Sequence, residues 1–175
     1  MADAPTGQFV FLDVRFEVDG EAQISRRLNR MFRNVTDLRH VWPRIAGIIR
    51  EAIDYQFQQS GEPPWPPLSP KYAARKRGLV GDKPILVFTG QLRASLTEAG
   101  HPDHIERHGP LRFELGTKRT TPRGNYNLGL IHHRGAPRAN IPPRPIIRLL
   151  QRYKTEITLA LREGIWEEPE EWQQY

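Results

Sequence analysis

Phe57-Gln58-Gln59-Ser60-Gly61-Glu62-Pro63-Pro64-Trp65-Pro66-Pro67-Leu68 is the stretch that decides the fold. It ends a run of apolar residues at helical spacing, turns the chain at Gly61, and walls one tryptophan with four prolines. Gly61 suits a left-handed turn, which costs glycine little and other residues more. The prolines restrict the loop before folding, so holding its shape costs less entropy. A tryptophan in such a loop either offers its ring to a peptide or plugs the core. The stiff surround favours the plug, with Trp65 and Leu68 as the anchors.

Upstream, Leu38, Val41, Trp42, Ile45, Ile48, Ile49, Ala52, Ile53 and Phe57 recur at steps of three and four, which marks a long amphipathic helix. Thr36 is placed to cap its start. Pro43 lacks a backbone donor and clashes one turn back. Either the helix kinks there or it begins at Trp42 with Pro43 in its first turn; a long kinked helix is the form expected. Glu21 to Phe32 reads as another helix, with Ile24, Leu28 and Met31 on one stripe. Before it, Leu12, Val14, Phe16 and Val18 alternate with charged residues, the pattern of a half-buried strand closed by Asp19-Gly20.

Downstream, Ser69-Pro70-Lys71 signals a helix start, and Ala73-Ala74-Arg75-Lys76 a short basic helix. Thr89 is a natural N-cap for a second short helix ending near Thr97. Asp103–Arg107 and Leu111–Thr117 read as a hairpin around His108-Gly109-Pro110, with Leu111, Phe113 and Leu115 facing the core. Lys118 to Asn125 is basic, contains Gly and Pro, and is expected to be mobile until a partner orders it. Tyr126 to His133 suits a short helix stopped by Gly135, Pro142 to Pro145 must be extended, and a last helix runs from Ile146 to about Glu163. The expected class is therefore α+β: the long kinked helix and the C-terminal helix packed on a small, mostly antiparallel sheet. Residues 1–164 form one domain, and 165–175 an acidic tail with Trp166, Trp172 and four glutamates.

A chain of 175 residues can bury a core unaided. With no cysteine there is no disulfide scaffold and no thiol chemistry. The first residues have neither the basic nor the apolar region of a signal peptide, and no apolar run reaches a membrane span, so a soluble intracellular product is expected. A net charge of +6 admits an anionic partner or simply solvated basic faces.

Chemistry is sparse. His101, His104 and His108 stand near Asp103 and Glu106, but Pro102 and the adjoining strand deny them one helical face. A solvated histidine-rich turn is expected there, and no metal site. His132-His133 with Asn140 lacks the downstream histidine of a His-Asn-His nuclease. Pro102-Asp103, Glu114 and Lys118 have the wrong Glu-to-Lys spacing for two groups on one strand face. No nucleophile elbow, zinc-protease helix or phosphate loop occurs, so no catalytic residue, metal or cofactor is expected. The basic clusters, Lys71 to Lys83 and Lys118, Arg119 and Arg123, can meet phosphate, but no aromatics interleave for base stacking. Protein or solvent is the expected neighbour, and Lys118, Arg119 and Arg123 are the candidate subunit or partner contacts.

Four segments in this order resemble the phage virion-morphogenesis or tail-completion family. They are F-x-x-x-G-x-P-x-W-x-P-L-S-P-x-Y-A-A-R-K at Phe57 to Lys76, I-L-x-x-T-G-x-L-x-x-S-L at Ile85 to Leu96, Tyr126 with His132 and Gly135, and Ile141-Pro142-Pro143-Arg144-Pro145. Two departures stand out: His133 replaces an amide side chain, and Ile146-Ile147 an aromatic-aliphatic pair. The motif positions are Gly61, Trp65, Leu68, Tyr72, Thr89, Gly90, Leu92, His132, Gly135, Pro142, Arg144 and Pro145. The resemblance implies a structural virion protein of the neck or tail end, joining head to tail or completing the tail. It also implies a self-assembled ring, hexameric by analogy with tail-tube symmetry, beside neck and tail-tube proteins. A lumen of this kind could hold genome DNA, no membrane would be involved, and the host cytoplasm would be the place of assembly. The alternative is a basic DNA-binding accessory protein.

Overall fold

The computed structural model describes residues 21–122 and 126–166. The expected strand at Leu12–Val18, Arg123 and the tail beyond Trp166 lie outside them. In order come α1 (Glu21–Thr36), α2 (Trp42–Gln59), α3 (Pro70–Val80), α4 (Gln91–Thr97), β1 (His104–His108), β2 (Phe113–Thr117), α5 (Leu128–Arg134), a 3-10 turn (Pro137–Ala139) and α6 (Gln151–Trp166). This is an α+β arrangement in which β1 and β2 pair antiparallel, His104 opposite Thr117 and His108 opposite Phe113. No helix of the described residues is long and apolar enough to cross a membrane.

The expected kink is a helix start. α2 begins at Trp42 with Pro43 in its first turn, where the missing N–H would have had no intrahelical partner. Thr36 does not cap α2; its hydroxyl donates to Phe32 O at 3.0 Å and closes α1. Asp37 accepts from Arg39 N at 3.0 Å in the turn between the helices. The Arg39 hydrogen bonds hold the Asp37 carboxyl down at about 2.

α2 is the spine. Ile53 and Phe57 are fully buried with Trp65, Leu92, Leu96 and Ile146 in one cluster. Val41, Trp42 and Ile45 form a second with Ala160 of α6, against which Phe113 of β2 packs. Trp42 stacks on Phe113 and donates to Gly109 O at 2.6 Å, which ties the hairpin turn to the start of the spine. Leu111, expected inside, is exposed instead, because β2 begins only at Phe113 and Leu111 lies in the turn before it. Ser95, Thr117 and His104 join α4 to the sheet through buried hydrogen bonds.

At its C-terminus α2 is closed by two left-handed residues, Ser60 (φ 55°) and Gly61 (φ 93°), and Gly61 N donates to Gln56 O at 2.9 Å. The Glu62–Pro63 peptide is cis. The chain then brings Trp65 beneath Phe57, edge to face at 5.9 Å, with the indole 5% exposed. Leu68 does not share the core; it is half-buried at the surface. α6 starts at Gln151, later than Ile146, which lies in a bend with its side chain buried in the core. It then runs through Gly164 to Trp166.

Trp65→Ala is expected to destabilise the chain by roughly 3–5 kcal/mol, the usual cost of emptying a large aromatic site. Gly61→Ala should also destabilise strongly, since its Cβ would sit 2.5 Å from Trp65 Cδ1 in a backbone conformation that disfavours alanine. Denaturant midpoints measure both. An unchanged midpoint for Trp65→Ala would remove the indole from the core.

Candidate functional site

The motif segments meet at one groove. It encloses about 1360 Å³ and is walled by Leu68 to Leu79, Leu86 to Leu92, Arg119 to Pro122, Leu128, His132 and the 139–144 stretch. Of the twelve motif residues, Leu68, Tyr72, Thr89, Gly90, Leu92, His132, Pro142 and Arg144 line it. Trp65 and Gly61 stand behind it in the core and its turn, while Gly135 and Pro145 act through the backbone.

Two proline-rich segments some eighty residues apart grip each other to form its floor. Trp65 Nε1 donates to Pro145 O at 3.2 Å. In return Arg144 Nε donates to Pro66 O at 3.0 Å and its Nη2 to Pro67 O at 3.2 Å. Arg144 is 4% exposed, and its guanidinium is held by these carbonyl dipoles. Prolines accept hydrogen bonds without adding donors that would need partners. Arg144 N also donates to His132 O at 2.7 Å, which fastens α5 to the same segment.

α5 is positioned by side-chain capping. Asn127 Oδ1 accepts from Leu130 N at 2.9 Å. Gly135 (φ 77°) ends the helix; a Cβ there would lie 2.8 Å from both Ile141 O and Pro143 N. His133, which replaces an amide, accepts Ile146 N at Nδ1 at 3.2 Å, so an imidazole supplies the acceptor the position requires. Burial pushes the His132 imidazole below its ordinary value, and the Arg144 charge adds to this. Its Nδ1 is buried without a hydrogen-bond partner among the described residues.

α3 supplies the opposite wall. Ser69 caps it, accepting from Tyr72 N at 3.4 Å. Tyr72, Arg75, Lys76 and Leu79 share one face and all line the groove. Lys76 turns inward and donates to Lys83 O and Pro84 O at 2.7 and 2.5 Å. Burial lowers its pKa, Asp82 opposing the shift. Among the described residues the lining includes four cationic side chains, Arg75, Lys76, Arg119 and Arg144, and no carboxylate. α4 is capped by Gly90 (φ 89°) and not by Thr89, although Thr89 Oγ1 accepts Gln91 N at 3.4 Å.

The candidate contact residues fare unequally. Lys118 is exposed, whereas Arg119 is committed to Asp103 at 2.9 Å within the same chain. The segment expected to be mobile is closed at its base: Leu128 N donates to Arg119 O at 2.8 Å and Thr121 N to Tyr126 O at 3.0 Å. The histidine-rich turn is not simply solvated. Glu106 accepts from His104 at 3.1 Å and His108 at 2.9 Å and is paired with Arg50. Burial raises the Glu106 pKa, but those hydrogen bonds and the Arg50 charge outweigh it and leave it lowered. No cluster of three metal-ligating side chains occurs among the described residues. Leu79 and Phe88 went unremarked in the sequence, although the spacing Tyr72, Arg75, Lys76, Leu79 already marks one helix face.

A family model, described as the phage virion morphogenesis family, matches residues 19–165, well over half the chain. Neither a comparison with curated proteins nor one with solved structures gave a match.

Because the folded His132 pKa is depressed, its contribution to stability is full above its ordinary value near 6.5. It is lost as pH falls through the lowered folded value, since the unfolded chain takes up a proton the folded one resists. His132→Gln is therefore expected to lose less stability than wild type between about pH 7 and about pH 5. Urea midpoints across that range read the difference, and parallel profiles would contradict it.

Proposed function

The chain belongs to the phage virion morphogenesis family, which gives it a virion-related role among other virion proteins, and on that premise we propose that it is a structural ring component of the neck or tail end. In this reading it joins head to tail or completes the tail, in a ring of six copies by analogy with the tail tube, and performs no catalytic step. The supporting observation is where the motif segments go. They converge on the walls and floor of a large, mostly apolar groove, and what they supply is backbone restraint: prolines, positive-φ glycines, caps and a buried arginine clamp.

A rigid groove suits docking, since a preformed surface loses little entropy on binding. Its outer wall is unusually apolar for a free surface, with Leu79 62% and Tyr72 45% exposed. Exposed apolar surface of this kind marks interaction sites. We assign the groove to a segment of a neighbouring subunit or virion protein, with Arg75 at its rim selecting an acidic one.

Tyr72→Ala combined with Leu79→Glu is expected to leave the melting temperature within a few degrees of wild type, as exposed substitutions shift stability by roughly 0.5 kcal/mol or less. Particles made with this variant should accumulate as separate heads and tails in electron micrographs. Normal joining, or absence of the wild-type chain from purified particles, would refute the reading.

A further inference from the structure

α1 and α6 each present to solvent an apolar face that no described residue covers. On α1, Ile24, Leu28, Phe32 and Val35 fall within about 80° of the helix circumference. All four are exposed, Phe32 at 71%. Arg27 borders this stripe, Arg26 and Arg33 lie behind it, and no acidic residue occurs between Glu21 and Asp37. These three arginines are exposed and form no ion pair among the described residues. On α6, Glu156, Leu159, Glu163 and Trp166 likewise share about 80°. Leu159 and Trp166 are exposed there, Trp166 at 54%. Glu156 is exposed without an ion pair among the described residues, and Glu163 holds Arg44 at 2.5 Å. Of the cations on that side, Arg152 is engaged over the Tyr55 and Tyr153 rings at 4.1 and 4.6 Å, and Arg162 stands at the edge.

The two faces match in length and in sign. Ile24 to Val35 spans about 16 Å of helix and Glu156 to Trp166 about 15 Å. One is apolar with a basic margin, the other apolar with an acidic one. Within one chain they cannot meet. The joint between the two helices includes Asn34, whose Nδ2 donates to Ile165 O at 3.1 Å. Asn34 lies about 100° around α1 from the stripe, and Ile165 about 140° around α6 from the patch, so both faces point away from the joint. Nor does the stripe complement itself, since a pair of α1 helices would bring arginines together with no carboxylate between them.

We infer that the α1 stripe of one copy docks on the outer face of α6 in a second copy. Contact between unlike faces is heterologous, so it passes from chain to chain and ends in a ring where the rotation closes. The inference rests on the ring reading and supplies the faces that build the ring, leaving the groove for another virion protein. A helix pair of this length buries less than the roughly 800 Å² per partner of a stable interface. A single contact is therefore weak, and the ring holds because every chain makes two. The apolar seam supplies the affinity, while Arg27 and Glu156 select which faces meet.

The test measures the mass of the full chain by sedimentation and native mass spectrometry. Wild type is expected to form a closed oligomer. Leu28→Gln with Phe32→Gln, and separately Glu156→Lys with Leu159→Lys, should each give monomers with an unchanged melting temperature, because all four positions are exposed. An equimolar mixture of the two variants, at high concentration, should stop at a 1:1 dimer, in which one intact stripe meets one intact patch. Wild-type assembly by either variant alone, a mixture that stays monomeric, or a wild-type chain that is monomeric at every soluble concentration would overturn the inference. The ring reading is judged separately in purified particles: a ring that either variant still builds there keeps that reading and removes these faces. The chain has no cysteine, so mixing Leu28→Cys chains with Leu159→Cys chains reports the contact even where a double variant misfolds. Disulfide-linked heterodimers are expected, and linkage confined to Leu28→Cys homodimers, or none, would overturn the inference.

Discussion

The reciprocal grip between Trp65–Pro67 and Arg144–Pro145 is the interaction on which the rest of the structure depends. The indole N–H reaches Pro145 O, and the Arg144 guanidinium reaches back to Pro66 O and Pro67 O. Both donors, the Trp65 indole and the Arg144 guanidinium, are buried, so leaving either without its carbonyl partners would cost about 1–3 kcal/mol. Burying a guanidinium is costly, and here the cost is offset by acceptors that proline supplies without competing donors. The clamp also bears on where α6 starts: Pro145 accepts the indole N–H and Ile146 is buried against Phe57 and Trp65, so the chain is fastened to the core before the helix begins at Gln151.

From that grip the groove follows. The prolines stiffen one lip, Gly135 lets the 141–143 backbone approach α5 closely, and the His132 carbonyl receives Arg144 N. α3 then leans its Tyr72–Leu79 face over the opening. The spine α2 links this rigid corner to the hairpin through Trp42 and Phe113. The chain thus couples the groove at one end of α2 to the α1–α6 corner at the other, where Gly164 packs against Val41.

Much of the local structure was legible in the sequence. Ile45 to Phe57 kept a strict helical period because they line the buried side of α2, and Ser69-Pro70 acted through local backbone chemistry alone. Pro43 was ambiguous because a helix start and a kink use the same residue; tertiary packing of Trp42 decided it. The stripe Ile24, Leu28, Met31 marked α1 correctly, yet Ile24 and Leu28 are exposed: an amphipathic period records that a face is meant to be covered, not that this chain covers it. Leu111 failed because alternation continues through a hairpin turn that the core does not reach. The convergence of Leu68, Thr89, His132 and Arg144 on one groove was not legible from spacing, since it rests on contacts some eighty residues apart. Resemblance marked these positions, but their common location had to come from the fold. The commitment of Arg119 to Asp103 was hidden in the same way.

Hydrogen–deuterium exchange, compared between the free subunit and purified particles, tests the central claim most directly. If the clamp is rigid and the groove is the docking surface, the Arg144 amide should exchange only with global unfolding in both states. Segments 86–92 and 139–142 should gain protection only in the particle. Exchange of the Arg144 amide through local opening, or groove segments that exchange alike in both states, would contradict the account.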